Sequence, residues 1–198
     1  MSGRGTPIRW AYLVALVLVL SMPPTLLFAA GEGRISKVVA EHREGGVQLS
    51  VELADGLPEE VAQEIKNGVP KELFYTISLR HPHRRWFDED LGAWTVHYTI
   101  KHDTLEGRYH IRRTGINGDE AEEQVVPTFE AAMRVILRLK NVFLELPAAS
   151  LDSSDYLVVK AEMRAVKLPL HLDYVFFFFP VLEFETPWAR TPPLNEVP

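Results

Sequence analysis

The chain has 198 residues, 46% of them hydrophobic and 24% charged, values ordinary for one globular domain and far from disordered or fibrous compositions. It has no cysteine, which excludes disulfides, thiolate metal sites, iron-sulfur clusters, cysteine nucleophiles and a lipidated cysteine after a leader. The formal charge is -6, but the first thirty residues hold Arg4 and Arg9 and no acid; the remainder, with 19 basic against 27 acidic residues, does not suit a general nucleic-acid binder.

Arg4 and Arg9 precede an unbroken apolar run over 10–20, after which Pro23-Pro24 breaks any helix ahead of Ala29-Ala30-Gly31. A charged start, an apolar stretch of export length and a small-x-small step make the pattern of a secretory signal. Residues 10–30 carry no charge, so an uncleaved membrane anchor is the competing reading. Both keep the positive charge inside and place everything after residue 31 in the periplasm or on the periplasmic face of the cytoplasmic membrane. The expected division is 1–31 signal or anchor helix, 32–190 one domain, and 191–198 a proline-rich disordered tail.

Within the domain, 34–40 and 47–53 are β-rich runs around Glu44-Gly45-Gly46, and the second alternates Val47, Leu49, Val51 and Leu53 with polar residues, which predicts a hairpin with one buried face. Pro58 followed by Glu59-Glu60, with Leu57, Val61 and Ile65 on one side and Asn67-Gly68 after, predicts a helix over 58–66. Strands follow over 73–80, 93–101 and 108–113, whose alternation puts Tyr75, Ile77, Tyr98, Ile100, Tyr109 and Ile111 on one face of an antiparallel meander. Residues 117–123 read as an acidic loop. Thr128 caps a second helix carrying Phe129, Ala132, Met133, Ile136 and Leu139 inward, with Glu130, Arg134 and Arg138 four apart on its other side. Residues 156–167 make a last long strand. The apolar segment 168–182, with four phenylalanines at 176–179, is too short to span a membrane as a helix; it is covered by the domain's own core, by membrane or by a partner. The expected fold class is α+β: a mainly antiparallel sheet with two amphipathic helices.

The helix leading to Gly68-Val69-Pro70, Leu79-Arg80 ahead of Arg84-Arg85-Trp86-Phe87-Asp88, the Tyr98 to Tyr109 hairpin, Pro127-Thr128-Phe129-Glu130 and the closing Thr186-Pro187-Trp188 together resemble the bacterial family called domain of unknown function 4390. The resemblance implies a small signal-bearing envelope protein of Gram-negative type, with no activity, cofactor or catalytic residues to carry over, and in the company of membrane sensor kinases. The four-phenylalanine run departs from the shorter aromatic pair that the family implies.

The most distinctive polar string is His81-Pro82-His83-Arg84-Arg85-Trp86. Its two imidazoles can share a metal if His97 or His110 comes across the sheet, but no acidic residue is placed to complete the set, and a solvated basic turn is the favoured reading. Arg80, His97, Lys101, Arg108, His110 and Arg112 alternate away from the apolar face and form either a basic stripe or a solvent face balanced by Asp88, Glu89, Asp90, Asp103 and Glu106. Nucleophile-elbow, zincin, P-loop and dinucleotide motifs are all missing from the sequence. The expectation is therefore a non-enzymatic envelope domain with no assigned catalytic residue, metal or cofactor. It binds an envelope protein or anionic lipid, not nucleic acid, through Arg80, His81, His83, Arg84, Arg85, Trp86, Lys101, Arg108, His110 and Arg112. The rival is a metal-dependent or acid-base periplasmic enzyme using His81, His83, His97 and His110.

Overall fold

The computed structural model describes residues 31–54, 56–83, 85, 87–118, 121–146, 152, 154–165 and 182–197. The signal or anchor segment, the end of the expected last strand at 166–167 and the phenylalanine run lie outside them. Among the described residues no helix is long and apolar enough to cross a membrane.

Among the described residues, eleven strands and two α-helices follow in the order β1 (Gly31–Glu32), β2 (Arg34–Arg43), β3 (Gly46–Ala54), α1 (Glu59–Lys66), β4 (Lys71–His81), β5 (Glu89–Asp103), β6 (Arg108–Thr114), β7 (Ala121–Val126), α2 (Phe129–Ile136), β8 (Arg138–Glu145), β9 (Tyr156–Ala165), β10 (Leu182–Glu185) and β11 (Ala189–Arg190). The large sheet runs β1-β10-β9-β4-β5-β6-β7 with β11 also on β9, and a second sheet runs β2-β3-β8. All pairs are antiparallel except β1 with β10.

The two sheets and both helices close on one core. Val47, Leu49, Val51 and Leu53 from β3 join Leu139, Val142 and Leu144 from β8, and they share a buried cluster with Leu73, Tyr75, Ile77, Tyr98, Ile100, Tyr109 and Ile111 of the large sheet. The six residues assigned to one face by alternation are all buried there. Tyr75 also donates its hydroxyl to the Ile136 carbonyl at 2.7 Å, satisfying a polar group that burial would otherwise penalise. The chain passes from the large sheet to the small one at Gly33, where a Cβ would lie 2.0 Å from the Phe184 ring, so a side chain has no room. Helix α1 buries Val61, Ala62 and Ile65 and stops at Gly68, whose positive φ of 90° suits a residue without Cβ. Thr128 caps α2 by accepting the Ala131 N–H at 3.2 Å.

Three expectations are corrected. Helix α2 ends at Ile136, and Leu139 is buried on a strand, β8, that pairs with β3. A register shift in that pairing and a positive φ at Asn141 put Leu139 and Val142 both inward, three apart, which imitates helical spacing. Arg138 accordingly bonds Glu52 on β3 at 2.7 Å instead of extending a helical charge row. The acidic loop holds a strand, β7, whose residues are exposed except Val126; as an edge strand it needs no apolar alternation, and its charges guard the edge. Finally, the tail over 191–197 is seated, with Thr191, Leu194 and Val197 buried. Its proline-rich composition reads as disorder because the hydrogen bonds that hold it come from residues distant in sequence.

Candidate functional site

On the face of the large sheet turned away from the core, antiparallel register places Lys101 opposite His110, Thr99 opposite Arg112 and Asp103 opposite Arg108. Directly opposed residues share a face, so Lys101, Arg108, His110 and Arg112 cluster at the end of the sheet that carries the β5–β6 turn. All four are exposed. Edge strand β7 adds Val125 opposite His110 and Glu123 opposite Arg112, and the rows form a shallow depression of about 220 Å³. His110 Nε2 lies 3.9 Å from Glu106, whereas Lys101, Arg108 and Arg112 have no ion pair among the described residues. At the tip of the turn Leu105 is 97% exposed.

The rest of the expected stripe behaves differently. Arg80, on β4, pairs with Asp90 at the opposite end of β5, roughly 35 Å away at ~3.3 Å per residue. Its Nε bonds Asp90 Oδ1 at 2.8 Å and its guanidinium covers the Trp188 ring. Asp90, which also accepts from Ser78 at 2.9 Å, is held below the usual carboxylate range by these bonds, Arg80 first. His81 Nδ1 meets the buried Asp155 carboxylate at 2.6 Å, and His83 Nε2 meets Glu89 at 3.2 Å. Arg85 is exposed; Arg84 and Trp86 lie outside the described residues. Mid-sheet, His97 stacks on Phe74 at 4.4 Å between ring centroids, and burial pushes its imidazole below its ordinary value against the pull of Glu72. Beside it Lys160 bridges Glu162 and Glu185, Arg164 bonds Glu162 at 2.7 Å, and Trp188 lies between Arg80 and Lys160. One stripe in the sequence is thus two regions in the fold: a network of ion pairs, and an open end where Lys101, Arg108 and Arg112 make none among the described residues.

The four histidines of the metal reading are not assembled. His81 and His83 are adjacent, with centroids 5.2 Å apart, but each faces its own carboxylate, and His97 and His110 stand elsewhere on the sheet. Among the described residues the group with metal-compatible spacing is Asp103, Glu106 and His110. There Asp103 Oδ1 already accepts the N–H groups of Leu105 at 2.9 Å and Glu106 at 3.1 Å, which lowers its carboxyl pKa and locks the turn. This is turn chemistry. Sequence reasoning missed the roles of Asp155, Trp188 and Lys160, whose partners are brought together only by strand pairing.

An antiparallel two-sheet α+β domain with a split outer face is the class of protein these features define. A family model described as a domain of unknown function (DUF4390) matches residues 30–192, most of the chain, and the protein belongs to that family. No curated protein and no solved structure matches it.

Proposed function

We propose that this is a non-enzymatic envelope domain, exported and standing at the periplasmic face of the cytoplasmic membrane, that rests the β5–β6 end of its large sheet on anionic lipid. The observation that carries the reading is where the unpaired cations lie relative to the chain's entry. Strand β1 pairs Gly31 with Phe184, Phe184 pairs with Met163, Met163 with Leu73, and Leu73 with Tyr98. Following those directions back, the chain reaches Gly31 from the same end of the sheet that holds Lys101, Arg108 and the Leu105 tip. A membrane-bound residue 10–30 segment therefore brings this end to the bilayer. Cations near an anionic surface contribute about 1 kcal/mol each, screened within roughly a Debye length, so Lys101, Arg108 and Arg112 supply an attraction of that order, which Asp103, Glu106 and Glu123 on the same face reduce. At the other end Arg80, Lys160 and Arg164 are each held in an ion pair, which leaves those cations less to offer a lipid surface.

The test is co-sedimentation of the full chain with phosphatidylglycerol-containing against purely zwitterionic vesicles. Because residues 10–30 partition into any bilayer, the readout is the difference between the two lipids. The difference is expected to shrink with added salt and to vanish in the Lys101→Gln/Arg108→Gln/Arg112→Gln variant. Equal binding to both vesicles by the unmodified chain would remove the lipid reading. Crosslinking in intact cells to one protein, lost in the same variant, would turn the face over to an acidic protein partner. Export itself is checked by a reporter fused after Pro198, which is expected to be active only outside the cytoplasm.

A further inference from the structure

A second concavity, of about 260 Å³, lies on the inner side of the large sheet where β5, β6 and β7 overhang α2 and β8. Its cationic side is built from separate elements. Arg113 pairs opposite Tyr98 and Glu122, so the register of the meander turns a guanidinium toward the core side of the sheet. Arg134 comes from α2 and Lys140 from β8. Arg138 also lines the wall, but its guanidinium is taken by Glu52 at 2.7 Å. The single carboxylate within, Glu122, stands 3.7 Å from Arg113 Nη1, beyond hydrogen-bond distance.

Two polar groups are left without partners. Arg113 Nε is buried and makes no hydrogen bond, an arrangement that folding alone disfavours. The Tyr98 hydroxyl, on a residue 3% exposed, has no hydrogen-bond partner among the described residues. Ile111 and Val135 complete the wall with apolar surface. A guanidinium fork, a phenolic donor and two further cations around one space suit a tetrahedral oxyanion with more than one negative charge, while the apolar wall suits a short carbon stem.

We propose that this concavity binds a small phosphate monoester, with Arg113 and Tyr98 donating to the phosphate oxygens and Arg134 and Lys140 supplying charge. The two concavities have Ile111 and Gln124 in common, but none of the groups that hold the phosphate serves at the lipid-facing end, so the site stands or falls independently of it. The same headgroup chemistry can come from a soluble metabolite or from a monoester lipid, so the test has two arms. The full chain in nonionic detergent is titrated calorimetrically with sn-glycerol 3-phosphate, and with phosphatidic acid against the diester phosphatidylglycerol, both dispersed in the same detergent; succinate is the control anion. Saturable binding in either arm is expected, the tighter arm identifying the source. Arg113→Gln is expected to weaken it by about tenfold or more and Lys140→Gln by severalfold, while Arg43→Gln, an exposed cation outside both concavities, leaves it unchanged. The proposal is overturned by no saturable binding of either phosphate, by succinate binding equally well, or by undiminished affinity in both variants. Should Arg113→Gln fail to fold, the exposed Lys140 decides alone: wild-type affinity in Lys140→Gln overturns the site.

Discussion

His42 Nε2 lies 2.6 Å from the Leu194 carbonyl oxygen, donating to it across 152 residues of chain. The amide of the same Leu194 donates to the Asp155 carbonyl at 2.7 Å, so one residue of the tail is tied to both sheets, to β2 on one side and to the start of β9 on the other. Thr191 adds a hydroxyl that accepts the Leu157 N–H at 3.0 Å.

Truncation after Arg190 is therefore expected to destabilise the domain, not merely trim it. Buried Leu194 and Val197 would be removed along with these bonds, and large apolar burial alone is worth about 1.5–3 kcal/mol per side chain. A loss of about 4 kcal/mol or more should appear as a lower denaturation midpoint with little change in slope. An unchanged midpoint would mean that the tail packs without contributing.

Ile77 is fully buried, between Val159 on β9 and Trp94 on β5. Replacing it by Asp places an unpaired carboxylate in the core, where neutralising or hydrating it costs more than a domain of ordinary stability holds. Ile77→Asp is expected to leave no cooperative melt, whereas Ile77→Val should lower stability by only about 1 kcal/mol. A cooperative transition in the Asp variant would show that the register of the meander is wrong.

Lys71, 1% exposed, sets its ammonium between Glu64 of α1 and Glu183 of β10. Lys71→Met would leave the less exposed Glu183 without its countercharge and is expected to cost about 3 kcal/mol. Adding Glu183→Gln should recover much of that, because the uncompensated carboxylate, not the lost attraction, is the larger part. Additive losses in the double variant, measured by denaturant titration, would rule out this coupling.

Local pattern carries far in this chain. The β2–β3 hairpin, α1 and the β4–β5–β6 meander follow from alternation, Pro58 and Asn67-Gly68, since each depends on neighbours in sequence. What stayed hidden depends on distant pairing: that β2–β3 joins β8 in a sheet of its own, that a register shift at Leu49 to Val51 makes β8 look helical, and that edge strand β7 carries charge without alternation. The candidate site divides in the same way. Alternation points Lys101, Arg108, His110 and Arg112 outward, but which cations of the stripe are neutralised is decided by partners such as Asp90 and Asp155, delivered by tertiary structure.

The His81–Asp155 contact predicts a pH dependence whose sign can be worked out. The Asp155 side chain is buried and accepts from His81 Nδ1 at 2.6 Å and from the Asp152 N–H at 2.9 Å. This hydrogen bond first, then the charges of Asp155, Asp152 and Glu89, raises the His81 pKa above its ordinary 6.5, against an opposing effect of burial. The neighbouring ring of His83, itself paired with Glu89, is the other titratable group beside it. A folded-state pKa above the unfolded one means that the native state binds the proton more tightly, so the contribution is complete below 6.5 and is lost as pH rises through the folded midpoint. An NMR titration of the imidazole should give a midpoint above 6.5, and stability in denaturant should decline across the interval between the two values. Asp155→Asn should bring the midpoint down and flatten that decline. Should the His81 midpoint fall at or below 6.5 in the unmodified protein, or fail to move in Asp155→Asn, the contact does not hold the proton in solution.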